Sequence, residues 1–469
     1  MRKRPADGRQ IYPGEELRKN SNFIVKRFNG KVDEKVVAVL IDTKEVSNKE
    51  LQKNRDEKKE KNLHNPGTRQ ERLTEDGDED EAVPNSESPT KRMHRLYYIH
   101  YIGMDRRMDE WVERERFVEF APAGAEILPP PKINPGVNDA NQQGTITRSQ
   151  RRIHEEFHHV QKSYDDMDAF TAKLEKEHEE RTKVKNIQQI ILGSYEISTW
   201  YFSPFPEDCA GERLYICEYC LVYTPDQNQY LCHKKHTCKT RQPPGDEIYR
   251  SGKVSVFEID GRMNKVYCQC LCLLSKLFMD HKTLYYDVDT FLFYVLCEVD
   301  EYGAHIVGHF SKERMSENNL ACIMILPPYQ RKGYGKLLIQ LSYELSKREG
   351  WIGTPEKPLS DLGKVSYRSY WWWRLLEVMD KLENVEDITA RELSIHSGIS
   401  EPDIVSTLQT MQMVKYWKGS NEYVVRVHRR IIDHCKSLNM ARAPKLLLDP
   451  TCMRWSPVVT RSSPLGSQD

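Results

Sequence analysis

Several features that would narrow the function at once are missing from this chain of 469 residues. No apolar run reaches the length of a transmembrane helix, and FLFYVLC at 291–297 is among the longest. The first ten residues, MRKRPADGRQ, carry basic side chains but no apolar stretch, so no secretory signal is visible. Lysine plus arginine and aspartate plus glutamate each number 70, so there is no net charge. This excludes a globally basic nucleic-acid binder and leaves only local basic patches.

The composition nevertheless holds two positive signals. Twelve cysteines without a visible secretory signal indicate reduced thiols, which favours metal binding or catalysis over disulfides. Charged residues make up 30% and hydrophobic residues 38% of the chain, which is more polar than a single compact enzyme. We therefore expect two or three domains together with disordered segments.

The alternation of apolar and polar stretches divides the chain into four regions. Strand-like runs such as FIVKRF, EKVVAVLID and RLYYIHYIGM predict a small β-domain, which a charged stretch with few large apolar residues interrupts. That stretch cannot bury enough apolar surface to fold, so we predict a disordered insertion. The predicted regions are a β-domain at 10–120 with its insertion at about 44–92, a linker and charged helical segment at 121–186, one large folded unit at 187–457, and a tail at 458–469.

A metal site is predicted in CEYCLVYTPDQNQYLCHKKHTC. Its C-x2-C-x12-H-x4-C spacing fits tetrahedral zinc, with the ligands Cys217, Cys220, His233 and Cys238. Cys232 and His236 compete for the second half of the set, so the first cysteine pair is the firmer prediction. Because protein side chains fill all four positions, we expect a structural zinc ion.

An anion site is predicted in ACIMILPPYQRKGYGKLLIQL. A buried strand, a glycine loop and a helix follow one another, and free backbone N–H groups meet the helix dipole at the helix start. Gly333 and Gly335 let the main chain approach a ligand, and Arg331, Lys332 and Lys336 add positive charge for phosphates. The spacing matches neither the Walker A loop nor the dinucleotide-binding G-x-G-x-x-G motif.

At this point the sequence resembles a known family. Q-x-x-G-x-G after a strand is similar to the acetyl-CoA loop of GNAT-type acetyltransferases. Longer strings, including YFSPFPED, DHKTLYYDVD, GAHIVGHFSKE, LPPYQRKGYGK and EKPLSDLGK, resemble the MYST family of histone acetyltransferases over about 187–457. YYIHYIGMDRRMDEWV resembles the chromo-barrel (Tudor-knot) domain of some members, and the chain most resembles the males-absent-on-the-first type.

The resemblance implies a mixed α+β fold. It consists of a GNAT-like core (250–375) with a zinc finger (212–241) and a C-terminal winged-helix-like lobe (380–430), preceded by the β-barrel. It also implies acetyl-CoA as co-substrate, a structural zinc ion, nucleosomal histone tails as substrate and a nuclear location on chromatin. The preferred tail would be that of the fourth core histone, and the enzyme would work within a multi-subunit complex.

The resemblance assigns roles to individual residues. Glu356 matches the general base, Cys322 the active-site cysteine, and Lys282 the lysine that is autoacetylated. The positions that match acetyl-CoA contacts are Ile323, Ile325, Gln330, Arg331, Lys332, Gly333, Tyr334, Gly335, Lys336, Ser360 and Ser369. Two departures stand out: Lys332 replaces one of two paired arginines, and Arg442 is only a weak counterpart of a C-terminal lysine that contacts the cofactor.

The chemistry explains why such residues are needed. A lysine with a pKa near 10.4 is protonated at pH 7, so acetyl transfer needs a base. Glu356 fits if a partly apolar site raises its pKa, although by itself it reads as an ordinary exposed carboxylate. Two mechanisms stay open, direct attack by the substrate amine and prior acetylation of Cys322, and we favour direct attack.

The flanking modules leave alternatives open. The helix–turn–helix and wing pattern at 380–430 suggests DNA binding, but its second helix, EPDIVSTLQTMQM, has no lysine or arginine, so we favour a structural lobe. Tyr97, Tyr98, Tyr101 and Trp111 could form a methyl-lysine cage or barrel core, and nucleic acid is a further possible partner. A non-catalytic chromatin scaffold and a small-molecule acetyltransferase are the competing functions.

Overall fold

The computed structural model describes residues 11, 15–28, 33–47, 51, 93–121, 182–280, 286–382, 388–411, 413–417, 422–425, 429–437 and 442–457. They belong to two compact units, residues 1–138 and 139–469. Most of the predicted insertion, the predicted linker and helical segment, and the predicted tail lie outside the described residues. Within the described ranges, no helix has the length and apolar character needed to cross a membrane.

The first unit contains one five-stranded antiparallel sheet, in the order β4-β3-β2-β1-β5. Its strands are β1 (Asn22–Phe28), β2 (Asp33–Ser47), β3 (Met93–Tyr101), β4 (Glu110–Val112) and β5 (Phe117–Phe120). The regular β2 continues to Ser47, a few residues into the predicted insertion. Phe23, Leu40, Ile99 and Tyr101 are fully buried between the strands, and they form the centre of the unit's core.

The second unit begins with a small mixed sheet that carries the zinc-finger segment. Its strands β6 (Ile187–Leu192), β7 (Tyr195–Ser198), β8 (Gly211–Ile216) and β9 (Tyr223–Thr224) lie in the order β7-β6-β8-β9. Helix α1 (Gln227–Cys232) starts at Asp226, whose carboxylate accepts the N–H groups of the first turn. One turn of π-helix (His233–Thr237) continues α1.

A five-stranded antiparallel sheet forms the centre of the second unit. Its strands follow one another in chain order: β10 (Asp246–Ser251), β11 (Val254–Asp260), β12 (Phe291–Asp300), β13 (Gly303–Glu313) and β14 (Cys322–Ile325). Helices α2 (Lys265–Lys276) and α3 (Tyr334–Glu349) contribute to the same core. On α2, Cys268 and Cys272 are buried thiols of the core, and Cys270 is half-buried.

A face of α3 formed by four leucines is buried in the structure. Leu337, Leu338, Leu341 and Leu345 are at most 2% exposed, and they pack with β12 and β13 residues in one core. The helix therefore rests firmly on the sheet, and this fixes the position of its first turn.

The described residues between 361 and 437 form a helical lobe with its own core. It contains α4 (Asp361–Lys381), α5 (Ala390–Ser397), α6 (Glu401–Thr410), the hairpin β15 (Val414–Trp417) and β16 (Glu422–Val425), and α7 (Arg429–Ser437). Tyr367, Trp371, Leu393 and Leu408 are buried in this second core. The helix pair followed by a hairpin is the predicted winged-helix-like arrangement.

Candidate active site

The glycine loop (330–336) follows a short turn after β14 and includes the first residues of α3. Arg331 and Gly333 have left-handed backbone conformations, with φ of 61° and 109°. Gly333 is the N-cap of α3, and no described side chain caps the helix there. The first N–H groups of a 16-residue helix are therefore available to an anion. This arrangement fits a ligand that carries phosphates.

Side chains hold the glycine loop on both flanks. Gln330 donates from Nε2 to the carbonyl oxygen of Ile325 at 2.9 Å, which closes the loop onto the end of β14. The Tyr334 hydroxyl donates to the carboxylate of Glu298 on β12. Burial and this carboxylate both raise the pKa of Tyr334, so it remains a neutral donor. The loop is thus fixed to the central sheet before any ligand binds.

The three predicted phosphate-binding cations differ in their surroundings. Arg331 and Lys332 are exposed, and Nζ of Lys332 lies 5.0 Å from the centre of the Tyr329 ring. Lys336 is half-buried, its Nζ donates to Oγ of Ser369 at 2.6 Å, and burial lowers its pKa. The structure therefore brings Lys336 and Ser369 together, and in this conformation Lys336 connects α3 to α4.

Glu356 lies in the base loop (353–358), which leads towards α4. Its backbone N–H donates to the carbonyl oxygen of Leu320 at 2.8 Å, and Pro355 forms a parallel bridge with Leu320. This puts Glu356 next to the residues that lead into β14, with its side chain exposed. Ser360 follows, and its hydroxyl caps α4 by accepting the N–H of Gly363 at 3.1 Å.

Cys322 is the first residue of β14, two residues after Leu320. It is half-buried and pairs with Ser311 of β13. Its Sγ lies 3.4 Å from Sδ of Met279, next to the segment that contains Lys282. Lys282 itself lies outside the described residues. Glu356 and Cys322 thus approach the same strand end, although they are far apart in the chain.

The four predicted zinc ligands lie together. Their ligand atoms are all within 4.8 Å of one another, and the Sγ of Cys217 and Cys238 are 3.7 Å apart. Sulfurs around tetrahedral zinc are about 3.8 Å apart, given Zn–S bonds of about 2.3 Å. Nε2 of His233 lies 3.2 Å from Sγ of Cys220, while the competing Cys232 is exposed. The hydrogen bond between the two cysteines lowers the pKa of Cys217 and raises that of Cys220, so the two thiols titrate as one coupled pair.

Comparison of the sequence with known proteins identifies the family to which the chain belongs. The MOZ/SAS family model matches residues 242–453, and that of the MYST family zinc finger domain matches 184–238. The Tudor-knot model, described as the RNA binding activity-knot of a chromodomain, matches 68–118. The putative MYST-like histone acetyltransferase 1 of Oryza sativa subsp. japonica is 49% identical over 364 residues, or 77% of each chain. The chain belongs to the MYST family.

Two further MYST relatives differ in how much of their length is matched. The histone acetyltransferase MOF of Drosophila melanogaster is 47% identical over 405 residues, which is 77% of this chain and 49% of that protein. The Tip60 homolog of Caenorhabditis elegans is 42% identical over 390 residues, or 77% of this chain and 84% of that protein. The chain therefore spans about half the length of the fly protein.

The family confirms the predicted fold and enzyme class. The chain combines an acetyltransferase domain, a zinc finger and a Tudor-knot barrel, in an α+β fold. Its class is acetyltransferase, which implies the use of acetyl-CoA, and the family zinc finger implies zinc. The MYST assignment does not by itself assign roles to residues.

Two features of the site were missed from the sequence. Nζ of Lys445 donates to the carbonyl oxygen of Arg331 at 3.1 Å, so Lys445 contacts the glycine loop, whereas Arg442 was the candidate named. The available signal was Lys445 itself, which stands just before the apolar triplet of ARAPKLLLDP. Asp403, which pairs with Lys357, was also missed, because EPDIVSTL presents it as one more acid near a helix start.

The aromatic residues of the Tudor-knot unit serve mainly as its core. Tyr97, Tyr98 and Tyr101 are at most 8% exposed, so these three do not form an open cage. Trp111 is half-buried, and Nζ of Lys44 lies 4.7 Å from the centre of its ring. This burial favours the interpretation of these aromatic residues as core residues.

Proposed function

We propose that the chain transfers acetyl groups from acetyl-CoA to lysine side chains of nucleosomal histone tails, with the tail of the fourth core histone as the preferred substrate. The MYST assignment implies a histone substrate and a chromatin location in the nucleus. The observation that carries the proposal is the hydrogen bond from Glu356 N–H to the Leu320 carbonyl, which brings a carboxylate to the strand that leads into the glycine loop.

In this proposal the glycine loop binds the co-substrate. The main chain of β14 at Ile323 and Ile325, the first turn of α3, and the cations Arg331 and Lys332 would hold acetyl-CoA. Gln330, Tyr334 and Ser360 orient that surface. When bound, acetyl-CoA supplies the acetyl group as a thioester, whose carbonyl carbon accepts the lysine nitrogen with loss of the thiol.

Glu356 acts as the general base in this proposal. Its carboxylate takes the proton of the substrate ammonium, which leaves the nitrogen lone pair free to form the amide bond. The residue is exposed, not in the partly apolar surroundings that were expected from the sequence, and this exposure leaves it accessible to a lysine on a separate polypeptide. Cys322 lies beside the reacting groups, where its half-buried thiol lines the site. One base and one binding loop suffice for direct attack.

The remaining parts of the proposal concern the zinc ion, the partners, Lys282 and the winged-helix-like lobe. Cys217, Cys220, His233 and Cys238 bind a structural zinc ion, as the tetrahedral spacing of their ligand atoms supports. The Tudor-knot unit contacts chromatin, through methylated lysine or nucleic acid, and accessory subunits complete the enzyme. Lys282 becomes autoacetylated. The winged-helix-like lobe is structural, because the described α6 carries no lysine or arginine.

The experiment that tests this function measures transfer from labelled acetyl-CoA to nucleosomes. We expect Glu356→Gln to lose about 100-fold or more of kcat at neutral pH, the usual contribution of a general base. Raised pH should restore part of the activity, because more of the substrate lysine is then unprotonated. Cys322→Ala should retain activity if attack is direct and lose it if the acetyl group passes through the thiol. Full activity of Glu356→Gln would disprove the base assignment.

A further inference from the structure

We propose that Asp403 and Lys357 form a positioning pair that holds the base loop in the orientation Glu356 needs to accept the substrate proton. The inference deepens the proposed function and depends on Glu356 being the base. Asp403 lies on α6 of the winged-helix-like lobe, whereas Lys357 directly follows Glu356 in the base loop. The pair therefore gives that lobe a specific task in catalysis.

Asp403 is a fully buried carboxylate whose bonds converge on the base loop. It is 0% exposed, and its Oδ1 lies 2.7 Å from Nζ of Lys357. Its Oδ2 accepts hydrogen bonds from the hydroxyls of Thr354 and Ser400, each at 2.8 Å. A buried carboxylate without partners is costly, so the surrounding groups are confined to this geometry. Two of them, Thr354 and Lys357, lie on either side of Glu356.

The main chain before Glu356 is held from two directions. Gly353 N–H donates to the carbonyl oxygen of Gly398 at 3.0 Å, and its own carbonyl accepts the N–H of Ser400 at 3.2 Å. From the core side, Asn319 N–H donates to the carbonyl oxygen of Thr354 at 2.9 Å. A Cβ on Gly353 would lie 2.3 Å from the side-chain Nδ2 of Asn319, so the two segments are in close contact.

The Lys357–Asp403 pair adds an anchor on the other side of Glu356. With both sides held, the main chain at Glu356 is confined, while the residue itself is exposed. Buried ion pairs contribute little net stability but fix geometry, and a displacement of about 1 Å at a reacting group can reduce a rate by about 100-fold. Removing one partner would leave the other charge buried and unpaired, so rates have to be compared among variants whose folding is confirmed by thermal unfolding.

The test uses Asp403→Asn in the full-length chain. The amide oxygen can still accept the hydroxyls of Thr354 and Ser400, while the attraction to Lys357 is lost. We expect kcat to fall about tenfold or more, with KM for acetyl-CoA within about twofold of wild type, because the glycine loop is untouched. Lys357→Met should reproduce the loss, and Lys357→Arg, which keeps the charge, should restore most of the activity.

A matched control removes a different lysine–carboxylate pair. Nζ of Lys381 lies 2.9 Å from Oε1 of Glu377 near the end of α4. Lys381→Met should leave kcat unchanged. An equal loss in Lys381→Met would mean that removing any ion pair of this lobe impairs the enzyme, which would overturn the inference.

A double-mutant cycle with Glu356→Gln separates positioning from general damage. If Asp403 acts through Glu356, adding Asp403→Asn to Glu356→Gln should cause no further loss of the residual activity measured at raised pH. If the second substitution lowers that activity by the same factor as in wild type, the positioning role is refuted while the base assignment stands. If Glu356→Gln alone keeps wild-type activity, the proposed function fails first, and the inference falls with it.

Discussion

The two glycines of the glycine loop differ in what their positions require. Gly333 has φ of 109°, and a Cβ there would lie 3.1 Å from Cβ of Lys445. Gly335 has no positive φ, and a Cβ added there would lie 3.8 Å from its nearest neighbour, the side chain of Ile325. The loop therefore needs glycine at the first position for both conformation and space, but not at the second for either reason.

Gly333→Ala is expected to destabilise the protein by about 1–2 kcal/mol, which is the usual cost of a left-handed conformation for a residue with a Cβ. Urea unfolding of wild type, Gly333→Ala and Gly335→Ala would check this. Gly335→Ala is the matched control and should be neutral or slightly stabilising, because alanine favours helix within the first turn of α3. Equal losses in the two variants would contradict the conformational explanation.

Single residues show where reasoning from sequence succeeds and where it fails. The leucine spacing of α3 predicts a buried face because helical periodicity is local, and all four leucines are buried. The bond from Thr354 to Asp403 spans 49 residues, and the bond from Lys445 to Arg331 spans 114. Such contacts arise only when separate elements meet, so no local pattern predicts them.

His305 of the β12–β13 hairpin contacts the zinc-finger segment, next to a hydrogen bond from the Tyr219 hydroxyl to the Tyr302 carbonyl at 3.2 Å. Nδ1 of His305 lies 2.7 Å from Glu218, and its Nε2 lies 2.9 Å from Asp300. Both ring nitrogens can donate only when the imidazole is protonated. Burial lowers the pKa of His305, but its bonds to Glu218 and Asp300 outweigh this and raise the pKa above its usual 6.5.

This bridge predicts a pH-dependent stability difference between wild type and His305→Gln. A raised pKa in the folded state contributes stability that is fully present below the unfolded pKa and disappears as pH rises through the folded one. The gap in free energy of unfolding should therefore be largest below pH 6.5 and shrink at higher pH. A gap that widens with pH would disprove the bridge.

The elements themselves were largely predictable. The strand–loop–helix order of β14, the glycine loop and α3 follows from an apolar run, two prolines, glycines and a leucine face. The DNA-binding alternative for the α5–α6 pair was set aside because its second helix lacks cations, and α6 instead provides a buried acid, Asp403. That use was not predictable, because burial depends on how the lobe packs.

Across the second unit, the zinc-finger sheet and the central sheet share one continuous core. Ile190 and Leu214 of the small sheet belong to the same apolar cluster as Val256 and Leu296 of the central sheet. Loss of order around the metal should therefore spread to the acetyltransferase core, because the two parts exclude water together.

Removing zinc with a strong chelator is expected to lower Tm and to reduce activity in parallel with the loss of folded protein, as for a structural ion. Differential scanning calorimetry, together with metal analysis, would check this. Cys217→Ser should lower the bound zinc, whereas Cys232→Ser, at the exposed neighbouring cysteine, should keep it. Activity lost by chelation while Tm stays constant would instead indicate a catalytic ion.

The bond from Lys445 to the glycine loop also bears on how the protein is made. Arg331 and Lys445 are separated by 114 residues, so α3 leaves the ribosome well before Lys445, which supports the glycine loop. At about 5–20 residues per second, the delay is roughly 6–23 s. During synthesis, a nascent chain can therefore complete the central sheet while the glycine loop still lacks one of its supports. Full affinity for the co-substrate should arise late in translation.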